Sequence, residues 1–384
     1  MFYQLPPVGN PVRLSHTDTP EVLFQILDNN YQAHYFASGT AALAAAITAA
    51  IRLKAVDKPE VILPAYGCPD LISAAVFAGA KPVLIDIEAN RPWMDPGQLA
   101  TKISRNTVAI IAVNLFGISE RLEQLRPFAE QAGALLIEDS AQAFPGDAEQ
   151  DIWQGDLVVL SFGRGKPVSL LGGGAVLSRK GLAAGNLLPE TATTADTGIW
   201  GQISFRLKAM LYNRMINPRL YWLPQALPFL HLGETRYHAL TSIDAMSRAQ
   251  LSILVANLKT YRNDKIPAQN NLMAMLKTIN LENCGITDLP RACKIPKNRR
   301  LLRYPLLMES ELRDSLYTQL RGAGLGPSQM YPAALPEIPG LESLLSDQGA
   351  FPGATSFAKQ LLTLPTHQQV RQTDIDKIRQ ILSC

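Results

Sequence analysis

Between His34 and Leu177 the chain alternates short apolar runs with stretches in which apolar residues recur at spacings of three and four. Seven runs read as strands: His34–Phe36, Val61–Leu63, Lys81–Ile87, Val108–Asn114, Ala134–Ile137, Leu157–Ser161 and Gly174–Leu177. Helices are predicted over Ala41–Leu53, Pro69–Ala78, Asp95–Ile103 and Glu120–Ala132, the last with Leu122, Leu125 and Phe128 on one face. Short apolar strands separated by helices predict an α/β fold, with one mostly parallel seven-stranded sheet buried on both faces. Ligands of such sheets bind beyond the carboxyl ends of the strands. That position selects Ser38-Gly39-Thr40, Tyr66–Cys68, Asn114–Gly117, Asp139–Gln142 and Ser161–Lys166 before any chemistry is considered.

The flanks read differently. Residues 1–30 are expected to be an irregular lead-in with one short helix over Pro20–Asp28. Aromatic and basic residues mix with prolines across 196–235, and a helical pattern follows over Ile243–Tyr261. A hinge near 260 is expected to divide a large domain, 1–260, from a small α+β domain, 261–384. The small domain would hold a strand over Leu301–Leu307 and helices over Glu309–Gly322 and Gln372–Leu382. Length and a hydrophobic content of 47% allow a sizeable core. The net charge of +3 is too small to imply nucleic-acid binding. Four cysteines without short paired spacing suggest neither a zinc module nor a disulfide framework, and five scattered histidines suggest no metal site. Early prolines (Pro6, Pro7, Pro11) argue against a signal peptide, and no run approaches the ~18 apolar residues of a membrane span. A cytoplasmic protein without integral membrane association is expected.

The candidate chemistry centres on Leu160-Ser161-Phe162-Gly163-Arg164-Gly165-Lys166, with Gly172-Gly173-Gly174 beyond it. Leu160 and Pro167 stand where a P-loop needs Gly and Ser or Thr, so that motif is excluded. A lysine on a tight turn after a buried strand suits covalent attachment of an aldehyde cofactor. Ser38-Gly39-Thr40 lies between a strand and a helix start, an anion site by its free N–H groups and hydroxyls. Asp139, at a strand end, needs a partner to be buried there, and a protonated ring nitrogen would be one. Gln142 would reach a ring oxygen, and the Ser161 hydroxyl a phosphate. Each feature alone has an ordinary structural explanation; together they meet the three needs of pyridoxal 5'-phosphate: an anion site, a carboxylate and a lysine.

Ser-Gly-Thr, then Glu138-Asp139-Ser140-Ala141-Gln142-Ala143, then Ser161-Phe162 with Lys166 and a following Gly-Gly-Ala, resembles the DegT/DnrJ-type nucleotide-sugar aminotransferases, which are fold-type I pyridoxal-phosphate enzymes. Gly79-Ala80-Lys81-Pro82-Val83 with Asp86, Asn114-Leu115-Phe116-Gly117 and Leu364-Pro365-Thr366-His367 extend the resemblance. It implies that Gly39, Thr40 and Ser161 hold the phosphate, that Asp139 pairs with the pyridinium, and that Gln142 contacts the ring oxygen. Lys166 would be the Schiff-base lysine and proton shuttle. It also implies a homodimer that moves an amino group from glutamate to a keto-sugar nucleotide.

Two positions depart from the family pattern. Cys68 stands where an aromatic usually covers the ring, with Tyr66 the expected substitute. Ile243-Asp244-Ala245-Met246 replaces a segment whose Asn often reaches the partner's phosphate, and Arg164 is a candidate for that contact. These departures sustain an alternative, a non-catalytic cofactor-binding regulator or scaffold. A sugar dehydratase of the same family would carry His in place of Lys166. Residues 203–232 are expected to be a buried inter-subunit or inter-domain segment, with an interfacial membrane segment as the alternative.

Overall fold

The computed structural model describes residues 3–15, 30–146, 153–191, 198–227 and 233–383; the expected helix over Pro20–Asp28 lies outside them. Seven strands form one sheet: β1 (Tyr31–Phe36), β2 (Glu60–Pro64), β3 (Lys81–Ile85), β4 (Thr107–Val113), β5 (Leu135–Asp139), β6 (Leu157–Ser161) and β7 (Gly174–Arg179). Their order is β1-β7-β6-β5-β4-β2-β3. Strands β2 to β6 are mutually parallel, and β7 alone runs against both its neighbours. The mostly parallel sheet read from the sequence is the one observed.

The continuous apolar runs are explained by what covers each face. Along β2, β4 and β5, alternate residues divide between two cores. Val61, Leu63, Ala109, Ile111 and Ile137 face one; Ile62, Ile110, Ala112 and Leu136 face the other. The first core receives α1 (Gly39–Lys54) and α2 (Asp70–Phe77). The second receives α3 (Pro96–Lys102) and α4 (Leu122–Ala132). With water excluded from both faces, every position of β4 is buried. Helix α1 is alanine-rich because it lies against the sheet and α2 together, and small side chains permit that closeness.

Beyond the sheet come α5 (Gly198–Met215), α6 (Trp222–Gln225), α7 (Arg248–Asn263) and α8 (Pro267–Leu276). The helix expected from Ile243 starts only at Arg248. Ser247 and Gln250 form a capping box there, while Ala245 instead bridges to Phe36 at the end of β1. A second sheet, β10-β9-β8, is antiparallel and built from β8 (Thr287–Asp288), β9 (Arg303–Leu307) and β10 (Leu361–Pro365). It carries α9 (Leu289–Ala292), α10 (Ser310–Gly322), α11 (Pro352–Gln360) and α12 (Gln372–Leu382). Leu306, Leu364, Ile375 and Ile378 join the same apolar core as β4 and α1. Cys284 is disulfide-bonded, a pairing that the wide cysteine spacing gave no reason to expect; Cys68 and Cys293 are free.

Residues 3–15 run as an extended strap between these parts. The Leu5 amide donates to Gly324 O, and the His367 ring meets Pro6 O through Nε2 at 2.8 Å. The Gln369 amide donates to His367 Nδ1, so the neutral ring has both nitrogens satisfied. Burial pushes the His367 imidazole down to about 4. An unfolded histidine titrates near 6.5, so between these values the unfolded chain holds more protons. The stability that the neutral ring provides is therefore full above pH 6.5 and is lost as pH falls toward 4. Urea denaturation at pH 7 and at pH 4.5 measures this. The wild type should lose on the order of 3 kcal/mol more than His367→Gln over that interval; equal losses would refute the assignment.

Candidate active site

The carboxyl ends of β4, β5 and β6 and the start of α1 enclose a cleft. Gly39, Thr40, Cys68, Asp139, Gln142, Ser161 and Lys166 all line it, joined by Asp70, Asn114 and Tyr331. Nine of the residues selected by position from the sequence, Asn114 and Ala141 included, thus meet in one place.

Strand alternation decides which acid faces the cleft. Glu138 turns away and accepts hydrogen bonds from Asn114 Nδ2 and the Gln154 and Gly155 amides. Asp139, one residue on, turns into the cleft, where Oδ1 accepts from the Ala141 amide at 2.9 Å. Burial raises the Asp139 pKa, opposed by that hydrogen bond and by the positive charge of Lys166. A buried carboxylate with one backbone donor and a nearby ammonium is suited to a further cationic N–H partner.

Lys166 sits on the turn after β6. The Phe162 amide donates to Gly173 O, and the Leu170 and Gly172 amides to Phe162 O, which closes the turn back on β6. Gly165 holds φ +73°, a left-handed conformation that glycine adopts without strain. From 156 residues upstream, Asn10 Nδ2 donates to Lys166 O (3.2 Å) and Pro167 O (2.9 Å), fixing the backbone that carries the ammonium. Nothing in the sequence around Asn10 marks it as a site residue.

The start of α1 presses against this turn. A Cβ on Gly39 would lie 2.6 Å from Ser161 Cβ and Oγ, and one on Gly174 would lie 2.4 Å from Ser38 O. Ser38 spends its hydroxyl on the helix, accepting from the Ala41 amide, and does not line the cleft. Thr40 does line it, but its hydroxyl donates to Asp70 Oδ2 at 2.9 Å. The Thr40 hydroxyl expected at a phosphate is thus already committed to a carboxylate.

Three other expectations are met differently. Tyr66 is wholly buried and does not line the cleft: its hydroxyl donates to Met330 O, and its ring packs edge-on against Tyr331 and Phe357. Its size and its bond draw it into the core, so it cannot cover a ring where Cys68 stands. Cys68 does line the cleft; burial and the Asp70 carboxylate push its thiol up to about 12, so it is uncharged. Arg164 is exposed and outside the cleft, on the side of Tyr212. Gln142 is committed through both ends of its amide, Oε1 accepting from the Phe116 amide and Nε2 donating to the Tyr331 hydroxyl.

Tyr331 is the aromatic that the sequence did not reveal. It enters from the segment before α11, holds φ +51°, an uncommon conformation for a bulky residue, and stands beside Cys68 and Gln142. Behind it Arg303 lies among the hydroxyls of Tyr331, Tyr221 and Tyr66; its Nε and Nη1 are buried without a hydrogen-bond partner, and burial lowers its pKa. An aromatic and an arginine brought in from β9 and a distant loop leave no local signal for sequence reading.

The chain matches the DegT/DnrJ/EryC1/StrS aminotransferase family over residues 22–188 and 234–383. It belongs to this family. Among curated relatives, a pleiotropic regulatory protein of Geobacillus stearothermophilus is 26% identical, with 82% of this chain and 74% of that protein aligned. The dTDP-3-amino-3,4,6-trideoxy-alpha-D-glucose transaminase of Streptomyces venezuelae is 25% identical over 80% of this chain and 71% of its own. The solved pyridoxal-phosphate form of a putative sugar aminotransferase of Streptococcus pneumoniae shares the fold. Its TM-score is 0.70 at 19% identity, covering 99% of this chain and 98% of that one. Pyridoxal phosphate is the cofactor that family membership implies for this cleft. The donors fit it: a lysine, a buried carboxylate short of partners, and a helix start packed so closely on Ser161 that only glycine fits.

That packing yields a direct test. Gly39→Ala should lower the melting temperature through overpacking of about 1–3 kcal/mol. Ser161→Gly in the same chain should recover part of the loss, because it removes the atoms that the new methyl meets. Additive losses in the double variant would show that the two residues do not touch.

Proposed function

We propose that this aminotransferase moves an amino group from glutamate to a keto-sugar carried on a nucleotide, in the cytoplasm and as a homodimer. The observation that carries the reading is the convergence of Lys166 and Asp139 on one cleft, at the ends of adjacent parallel strands. When bound, pyridoxal phosphate supplies an aldehyde for the amine and a ring that accepts electrons from the substrate carbon. Asp139 would accept from the protonated ring nitrogen and keep it charged. Lys166 Nζ would hold the cofactor. Once the donor amine displaces it, Lys166 would take the proton from the donor carbon and return it on the other side of the exchange. Ser161 and the start of α1 would meet the phosphate. Tyr331, rather than Tyr66, would border the ring on the Cys68 side. Arg303 would be the guanidinium that neutralises a substrate carboxylate or phosphate entering past Tyr331.

A second reading, a cofactor-binding regulator, is favoured by the name of the Geobacillus relative and by the commitment of Thr40 to Asp70. Amino-group exchange separates the two. Protein reconstituted with pyridoxal phosphate and mixed with glutamate should lose its visible imine absorbance and release 2-oxoglutarate. Lys166→Ala should slow that half-reaction by roughly 10²–10⁴-fold. A protein that holds the cofactor yet exchanges with no amino donor is a regulator, and one that takes up no cofactor refutes both readings. Arg303→Gln should raise KM for the anionic substrate about 10–100-fold, the weight of a lost charged hydrogen bond, with a smaller change in kcat.

A further inference from the structure

Helix α5 stands apart from everything used so far. The family match ends at residue 188 and resumes at 234, so α5 and α6 lie outside the matched residues. Sequence reading favoured a buried segment because prolines interrupt the region. In the structure Pro218 and Pro224 fall after α5, which runs from Gly198 to Met215 without one. Its inner face is pinned: Ala209 is buried, and Asn213 exchanges two 2.8 Å hydrogen bonds with the Val12 backbone. Its outer face is apolar up to Arg214 in the last turn. Ile199, Trp200, Ile203, Leu207, Met210 and Leu211 are all exposed, Trp200 at 82%. At about 100° per residue these six share an arc of about 120°, opposite Ala209.

The charged residues of α5 itself have one sign. Arg206 lies about 20° outside one edge of the arc and Lys208 about 60° outside the other, Arg214 falls within the arc in the last turn, and Arg219 follows the helix, all exposed. No aspartate or glutamate occurs anywhere from 198 to 227. We propose that α5 lies flat on an anionic lipid surface, with its apolar arc among the acyl chains and its cations at the headgroups. Apolar residues with a tryptophan on one side and cations at the margin make up the composition of an interfacial helix. No helix among the described residues is long and apolar enough to cross a membrane, so α5 rests on the surface. A second copy of the chain is the poorer occupant. An isologous contact would set this patch against itself, bringing the same cations together with no carboxylate from 198–227 to offset them.

The test uses the full-length protein and flotation with vesicles of 70% phosphatidylcholine and 30% phosphatidylglycerol. Wild-type protein should float with these vesicles, and at least about tenfold less with pure phosphatidylcholine or in 1 M salt. Two variants address the face itself: Trp200→Ser with Leu207→Ser and Leu211→Ser, and Lys208→Glu with Arg214→Glu. Both should stay soluble, keep the circular dichroism of the wild type and its activity in solution, and fail to float. Absence of wild-type flotation on anionic vesicles overturns the proposal. So does equal flotation of the apolar-face variant. If wild-type protein does not float and the triple substitution halves its mass by light scattering, the occupant is a second copy. Flotation, circular dichroism and light scattering do not depend on cofactor or substrate identity.

Discussion

The site rests on an approach too close for a side chain. The turn that begins α1 meets the end of β6 at Gly39 and Ser161, and the start of β7 meets the same turn at Gly174 and Ser38. Three elements are thereby locked at one end of the sheet: the helix start, the strand that delivers Lys166, and the strand that returns from the lysine turn. Alternation along β5 then needs to do only one thing, to point Asp139 rather than Glu138 at that junction. A parallel strand next to β4 and β6 supplies the rigidity, because its neighbours are buried on both faces and cannot slip by one residue without moving charge into a core.

Charge is arranged sparingly around this junction. Lys166 faces two carboxylates, Asp139 and Asp70, of which Asp70 is already held by Thr40 and sits beside an uncharged thiol. Asp139 is left as the less satisfied acid, in the more confined place. Arg303, whose Nε and Nη1 are buried without a hydrogen-bond partner behind Tyr331, is the complementary imbalance. Buried ionic groups short of partners are costly to the fold, and one in the cleft with another behind its Tyr331 wall is what a charged ligand would relieve.

Much of this was readable from the sequence, and the boundary of what was readable is physical. The sheet announced itself because buried parallel strands are continuous apolar runs, and the lysine turn because glycines punctuate it. Asp139 and Lys166 could be picked out by position alone, at strand ends. Tyr66 could not be assigned correctly, since a tyrosine near a strand end packs inward as readily as outward; the hydrogen bond to Met330 that settles its direction comes from 264 residues away. Tyr331, Asp70, Arg303 and Asn10 act through contacts across the fold, and nothing in their neighbouring residues records them. The proline-broken look of 203–232 concealed a helix because the prolines fall after it.

Asn10 carries a consequence for how the protein is made. Its amide supports the lysine turn from a strap whose own place is fixed by His367 and Gln369 through Pro6 and Gly9. During synthesis the strap leaves the ribosome long before the turn it supports, and longer still before the residues that hold it. Asn213 and Asn257 can hold the strap at Val12 and Arg13 once the middle of the chain is made, whereas the bonds from His367 and Gln369 form only after nearly the whole sequence has been translated. The support of the lysine turn is thus completed in stages, and its last stage waits for the end of the chain.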